Sequence, residues 1–197
     1  MLTDTPEGRR RLGSIPRTAA QTRILKAALD LFADHGVSGT SLQMIADAVG
    51  VTKAAVYHQF KTKEEIVIAV TEMELANLED ALEAAEAEDD PLRARKVLLT
   101  RVIDTAVERR GWVRMLQNDP VIVRLLGEYE PFRQFISRLY GILLDQPDDT
   151  EARISAALFS GAIAGGIVNP LVDDIDAATL RAALIQLTQR MLNLPRD

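Results

Sequence analysis

With only two histidines, His35 and His58, and no cysteine among its 197 residues, the chain has few routes to catalysis or metal binding. Both histidines fall in the first third, so the rest cannot assemble a Ser/His/Asp, Cys/His or histidine-metal constellation, and the Glu-x-x-His pattern of helical di-iron bundles is absent. No thiol is available for disulfides or redox sensing. The acidic run Glu83, Glu86, Glu88, Asp89 and Asp90 is read as a solvated helix end rather than a cation site. No enzymatic activity, cofactor or metal is expected. The residues whose types and spacing can do chemistry lie instead between Thr40 and Lys63, and the chemistry is recognition of DNA. Lys53, on the first turn of a short helix, presents an amine that can reach the N7 and O6 acceptors of guanine. Ala54 and Ala55 allow the backbone to approach, and Tyr57, His58 and Gln59 can point outward. Lys63 and the first amides of the following helix can hold a phosphate.

Positioning those side chains requires two short helices and the start of a third. Thr40 or Ser41 caps the first, with Gln43 completing a capping box from Thr40, and its inward stripe is Leu42, Ile45, Ala46 and Val49. Gly50-Val51 supplies the corner, because a tight turn between crossing helices commonly needs a left-handed residue. Thr52 caps the second helix, whose Val56 and Phe60 fall at i and i+4 on the inner face. Thr62 and Glu65 form another capping box. Upstream, Thr18 with Gln21 starts a helix whose Ile24, Ala27, Ala28, Leu31 and Phe32 recur at helical spacing up to His35-Gly36, giving a three-helix head built on a helix-turn-helix.

The order Gly36, Thr40-Ser41, Ile45-Ala46, Ala48-Val49-Gly50-Val51-Thr52, Tyr57, Phe60, Lys63-Glu64 resembles the amino-terminal domain of the TetR (tetracycline-repressor) family of bacterial transcription regulators. The likeness covers roughly residues 20 to 68. It departs from the family at Ala54-Ala55, where a glycine is frequent, and at Thr52 and Thr62, where serine is frequent. The resemblance implies DNA contacts at Thr40, Ser41, Tyr57 and Lys63 of the phosphate-holding kind, which orient a protein without reading sequence. Together with Thr52, Lys53, Ala54, Ala55 and His58 these are the expected DNA-binding residues.

Net charge divides along the chain. The formal total is −6, yet residues 1 to 63 carry nine Lys/Arg against five Asp/Glu, leaving fourteen against twenty-four in the remainder. A basic head on an acidic body suits a protein that grips phosphates at one end. Residues 1–17, with Pro6, Gly8, Gly13 and Pro16 around Arg9, Arg10, Arg11 and Arg17, read as a flexible basic arm, either touching phosphate or the minor groove or simply solvated. The division expected is arm 1–17, DNA-binding domain 18–63 and an effector-binding and dimerisation domain 64–197. With 47% apolar and 26% charged residues the composition is that of a globular protein. The first twenty residues lack an apolar signal core, and the run from Ala156 to Val168 is too short to span a bilayer, so a cytoplasmic location is expected.

The body reads as helical throughout, making an all-α protein of about nine helices. A long helix from Lys63 carries Ile66, Val70, Met73, Leu75, Leu78 and Leu82 and is the one connection evident between head and body, through which an effector would have to act. Asp90-Pro91, Asp119-Pro120 and Glu130-Pro131 each start a further helix, with a break at Gln146-Pro147. The resemblance implies a small-molecule cavity in the body, and Met73, Trp112, Met115, Tyr129, Phe132, Phe135 and Tyr140 can line it or can be plain core. Few charges interrupt the apolar faces, which favours a largely apolar effector. In the last two helices Ile154, Leu158, Gly161, Gly165 and Val168 share one face, and Leu180, Leu184, Leu187 and Met191 share another. Glycine inside a helix costs roughly 1 kcal/mol against alanine, and close helix packing commonly compensates. The resemblance implies that these two helices meet their copies in a four-helix dimer interface; the alternative is packing within one subunit. The implied function is that of a homodimeric repressor, released from a palindromic operator by a small-molecule effector, without a membrane partner.

Overall fold

Capping geometry decides where each helix begins. In the computed structural model, which describes residues 10–145 and 150–195, Thr18 and Gln21 exchange reciprocal side-chain and backbone bonds at the start of α1, Ala19–Gly39. Ser41 accepts from Met44 N at the start of α2, Leu42–Val49, and Thr52 from Ala55 N at the start of α3, Lys53–Gln59. Thr62 accepts from Glu65 N to open α4, Lys63–Glu86, a rod about 36 Å long at 1.5 Å per residue. Aspartate followed by proline starts α5, Pro91–Glu108, and α7, Pro120–Glu128; between them lies α6, Arg110–Asn118. The remainder comprises α8, Glu130–Leu144, α9, Thr150–Val168, a single 3-10 turn Pro170–Val172, and α10, Ala177–Met191. The described residues contain no strand, and none of their helices is long and apolar enough to cross a membrane.

Several expectations need correction. The Thr40–Gln43 capping box does not form: Ser41 is the cap, Thr40 ends α1, and Gln43 bonds Asp47. Glu65 reaches past Thr62 to the amide of Lys61, so that box is only half made. Among the described residues there are ten α-helices, against about nine expected, because a separate helix, α6, opens at Arg110 between α5 and α7. Tyr129, not Glu130, occupies the cap position of α8. The break at Gln146-Pro147 and residues 1–9 of the basic arm lie outside the described residues.

The described part of that arm is not free. Leu12 is buried, and Gly13 lies so close to α4 that a Cβ on it would sit 2.6 Å from that of Ala76. Arg10 and Arg17 both bind the buried carboxylate of Glu72, at 2.9 and 2.7 Å, while Arg11 pairs with Asp80 and Glu83. These arginines pair with carboxylates of α4, and Arg10 and Arg11 remain partly exposed beside them.

Buried Ile24, Leu25, Ala28 and Phe32 of α1, Ile45 and Ala46 of α2, and Val56 of α3 close the head's interior with Phe60. That interior continues through Ile66, Val67 and Val70 of α4 into the body, so one hydrophobic core serves both. Buried on most of its circumference, α4 carries Glu72, Glu74 and Glu79 inside the protein. Arg138 of α8 answers Glu79 and also pairs with Glu86 at 2.7 Å.

Candidate DNA interface and body cavity

The corner of the helix-turn-helix depends on Gly50, left-handed at φ 76°, and on Val51 N–H donating to Ala46 O. With Val56 and Phe60 anchored inward, the opposite face of α3 is in solvent: Lys53, Ala54, Ala55, Tyr57 and His58 are all exposed, as are Ser41 and Thr52 at the two caps. Gln59 is half-buried beside His58. Sequence reasoning missed Lys61. Its Nζ lies 4.7 Å from the centre of the Tyr57 ring and donates to Tyr57 O, so a cation and an aromatic hydroxyl are presented together. A cation four residues after Tyr57 was the available signal.

Two expected DNA-binding residues face inward. Thr40 is 1% exposed and its hydroxyl donates to Gly36 O at 2.8 Å, which removes that side chain from any phosphate. Lys63 directs its amine to Val37 O and Thr40 O, at 2.7 and 2.9 Å, where the partial negative charge of carbonyls at the C-terminus of α1 attracts a cation. Both residues therefore set the position of Ser41 and α2.

The same carbonyl end receives a contact from the body. At Gly36, φ 70° interrupts α1, and a Cβ there would meet Asp119 Oδ2 at 3.4 Å. This bend presents the amide of Val37 to Asp119 Oδ2 at 2.7 Å, while Asp119 Oδ1 caps α7 through Val121 N. Asp119 is thus bonded to Val37, and Val37 through Lys63 to Thr40, next to the cap of α2. α4 is not the sole link between head and body, as the sequence suggested: α6 packs directly on α1.

In the body, α4, α5, α6, α8 and α9 surround a cavity of about 200 Å³. Leu75 and Leu78 come from α4, Val102, Thr105 and Ala106 from α5, and Trp112, Val113, Leu116 and Gln117 from α6. Phe132, Phe135, Ile136, Leu139 and Tyr140 of α8 and Ser160, Ile163 and Ala164 of α9 complete the wall. Trp112, Phe132, Phe135 and Tyr140 were expected here. Met73, Met115 and Tyr129 do not line it: Met115 is buried core, Met73 packs against that core, and Tyr129 donates to Glu72 Oε1 at 2.6 Å. Burial, then that bond to a carboxylate, pushes the Tyr129 hydroxyl up to about 12. Tyr140 packs edge-on against Phe159 and bonds Ser160; its hydroxyl is raised chiefly by burial, so it is neutral.

The paired faces of α9 and α10 divide. Ile154 and Leu158 are exposed, Leu158 by 70%, and so are Leu187 and Met191. A Cβ on Gly161 or Gly165 would meet nothing within 4 Å, so these glycines open onto free surface. Leu180 and Leu184, by contrast, are buried inside the protomer, and Gly166 is the glycine that permits close approach, with Leu184 Cδ2 3.1 Å from its would-be Cβ.

Residues 24–70, which span α1 to the first turns of α4, match the family model described as bacterial regulatory proteins, tetR family. Over these residues the chain carries a TetR-family DNA-binding domain. The regulator AcrR of Shigella flexneri is 42% identical over 98 residues, 47% of this chain and 46% of that one. TtgR of Pseudomonas putida is 37% identical over 93 residues, so the chain spans about half the length of these curated relatives, 44% for TtgR. A longer alignment with TcmR of Streptomyces glaucescens reaches 28% identity across 80% of this chain and 77% of that one. Among solved structures, a TetR-like regulator from Rhodococcus sp. RHA1 matches with a TM-score of 0.67 at 22% identity, covering 91% of this chain and 98% of that one. FadR from Bacillus subtilis, solved with stearoyl-CoA, gives 0.64 at 17% identity, covering 85% of this chain and 96% of that one. At such identities the structural likeness establishes a shared TetR-type helical fold, head and body included.

Proposed function

We propose that the protein is a ligand-responsive transcriptional repressor that binds a palindromic operator as a homodimer and leaves it when a small molecule occupies the body cavity. The observation that carries the DNA-binding part is the solvent-exposed side of α3, with Lys53, Ala54, Ala55, Tyr57 and His58 clear of the core behind a capped, glycine-cornered α2. Lys53 reads a base; Ser41, Thr52 and Tyr57 fix the register, with Lys61 added to them, while Thr40 and Lys63 support the motif from within.

Dimerisation is supported by the uncovered apolar side of α9 and α10, where Ile154, Leu158, Leu187 and Met191 flank Gly161 and Gly165. Two heads joined at this seam can enter successive major grooves, which requires recognition helices about 34–36 Å apart. Leu180 and Leu184 contribute by stiffening each protomer's helix pair.

An effector acts by favouring one head spacing over another, and only its differential affinity for the two arrangements can shift the equilibrium. Two routes lead from the cavity to the head. Leu75 and Leu78 of the wall lie on α4, and Leu116 and Gln117 lie just before Asp119, whose carboxylate holds Val37. The TetR-family DNA-binding domain supports a binding protein, located in the cytoplasm with the DNA, in place of a catalyst.

The experiment is binding to the DNA upstream of the protein's own gene across a salt series. Saturable binding that protects a two-fold site and weakens steeply with salt is expected. Equal affinity for that DNA and for random duplex would remove the operator-binding reading.

A further inference from the structure

Resting on the function proposed above, we infer that Glu72 is a positioning residue for the recognition helix: one buried carboxylate of α4 ties the entry of α8, beside the cavity wall, to the start of α1 and through it to the corner that orients α3.

The side chain of Glu72 is 2% exposed. A carboxylate so enclosed needs compensation, and it has three donors where one cation would answer its charge. Tyr129 donates to Oε1 at 2.6 Å and Arg10 to the same oxygen at 2.9 Å, while Arg17 donates to Oε2 at 2.7 Å. The donors come from different places. Tyr129 occupies the cap position of α8, and its carbonyl accepts at 3.1 Å from the amide of Phe132, a residue of the cavity wall. On α4, Leu75 of the wall follows Glu72 by less than one turn. The bond between Tyr129 and Glu72 therefore lies within one turn of the wall on both of its sides.

Arg17 carries the tie into the head, since the next residue, Thr18, caps α1. The segment before it is seated on the same line of α4: Leu12 is buried, and Gly13 packs on Ala76, one turn beyond Glu72. In the second turn of α1, Arg23 donates at 3.1 Å to Val49 O, a carbonyl that the end of α2 leaves without a helical partner. Gly50, the left-handed corner before α3, follows at once. One stretch of helix thus joins Glu72 to the last residue before the corner. The bond of Asp119 to Val37 acts near the opposite end of α2, so that helix is held from both ends. Arg10 has no comparable position, because it lies on the far side of Gly13 from α1. A ligand that displaces Phe132 draws Tyr129 from Glu72, and the start of α1 is then tied to a carboxylate no longer fixed to α8.

Amide hydrogen exchange on the free full-length protein tests the tie without ligand or DNA. Tyr129→Phe and Arg17→Ala should each lower protection at the start of α1 and the end of α2 about three- to tenfold, the range of one hydrogen bond, with α10 unchanged within about twofold as the mark of an intact fold. Arg10→Ala removes the same charge from the same carboxylate and should leave the end of α2 as in the wild type. Arg17→Lys, which keeps a cation for Oε2, should do so too. In titrations with the DNA upstream of the gene, Arg17→Ala should lose more affinity than Arg10→Ala. Loosening confined to the start of α8 in Tyr129→Phe, loosening of all helices alike, or Arg10→Ala matching Arg17→Ala would overturn the inference while leaving the proposed function in place. Equal affinity of the wild type for upstream and random DNA would overturn that function and the positioning role with it.

Discussion

On the recognition face of the head, Ser41, Thr52, Lys53, Tyr57 and His58 all lie open to solvent; the body cavity is walled by aliphatic and aromatic side chains, with Thr105, Gln117, Tyr140 and Ser160 the residues there that carry polar side-chain groups besides Trp112. A surface that must meet phosphates and base edges keeps its polar groups hydrated until contact, and its affinity follows salt. A cavity that must discriminate small molecules uses desolvation, so its selectivity is set by which groups lose their water. The two regions are joined by rigid pieces: α4, and the contact of Asp119 with the bend of α1.

The largest effect that separates them is expected at a third place, the open side of α9 and α10. Leu158→Glu sets like charges against each other across the proposed seam, and Gly161→Leu overfills it. Neither change touches the protomer's own packing, since Leu158 is exposed and Gly161 has open space around it. Both variants should sediment as folded monomers with operator affinity reduced about a hundredfold or more, because one half-site retains only part of the specific contacts. Ligand binding in the cavity should survive. Intact dimers in both variants would move the interface elsewhere.

Next in size, Lys53→Ala should cost about 1 to 3 kcal/mol at the cognate operator and relax preference at one base position, whereas Tyr57→Ala should weaken all duplexes alike. Binding assays on cognate and single-base variant operators distinguish the two, and equal losses on cognate and random DNA would remove Lys53 from base reading. Neither substitution should alter affinity for the cavity ligand of the free protein.

Why the head was legible and the cavity only partly so follows from the range of the forces involved. Ser41, Gly50 and Thr52 act within one helical turn, so caps and corner show in the local sequence. Lys63 reads as a DNA contact because nothing near it in the chain reveals that Val37 presents a carbonyl to it across 26 positions, whereas Thr40 bonds Gly36 only four positions back, a local helix-end contact that residue type alone does not distinguish from a phosphate contact. The boundary between α5 and α6 is a single residue, Arg109, with neither proline nor glycine to mark it, and Gly111 imitates a helix end. In the body, aromatic content identified Trp112, Phe132, Phe135 and Tyr140, but Thr105, Gln117 and Ser160 belong to the wall only through the assembly of five helices. Tyr129 and Glu72 were separated by 57 positions, so their bond had no local trace. The basic arm looked free for the same reason: its partners Glu72, Asp80 and Glu83 lie far along α4.

A smaller effect is expected where the two regions are coupled. In Asp119→Asn one of the two oxygens becomes an NH₂ group, so the side chain cannot accept from both Val37 N and Val121 N. The factor by which ligand weakens operator binding should fall, by about threefold or more, while affinity of the free protein for DNA or ligand alone changes less. Fluorescence anisotropy of labelled operator with and without ligand reads this directly. An unchanged coupling factor would leave α4 as the only route.

The smallest effect concerns stability at the junction. Glu74 is buried with Arg109 Nε 3.3 Å away but without a hydrogen bond at that oxygen, and burial raises its carboxyl above the ordinary value despite the opposing pull of Arg109 and then Lys26. A folded value above the unfolded one means that the stabilisation from the bound proton is complete below the unfolded value and is lost as pH rises through the folded one. Glu74→Gln should therefore have a higher Tm than the wild type at neutral pH, with the advantage disappearing in acid. A lower Tm at neutral pH would show that the ion pair with Arg109 outweighs the burial.

The central claim is that cavity and DNA face are linked, and reciprocity tests it. The factor by which a cavity ligand weakens operator binding must equal the factor by which operator weakens ligand binding. Once a compound is shown to fill the cavity and release the protein from its operator, calorimetry on free and on operator-saturated protein supplies the second factor. The account predicts weaker ligand binding to the complex by the same ratio that ligand weakens DNA binding; identical ligand affinity in the two states would contradict it.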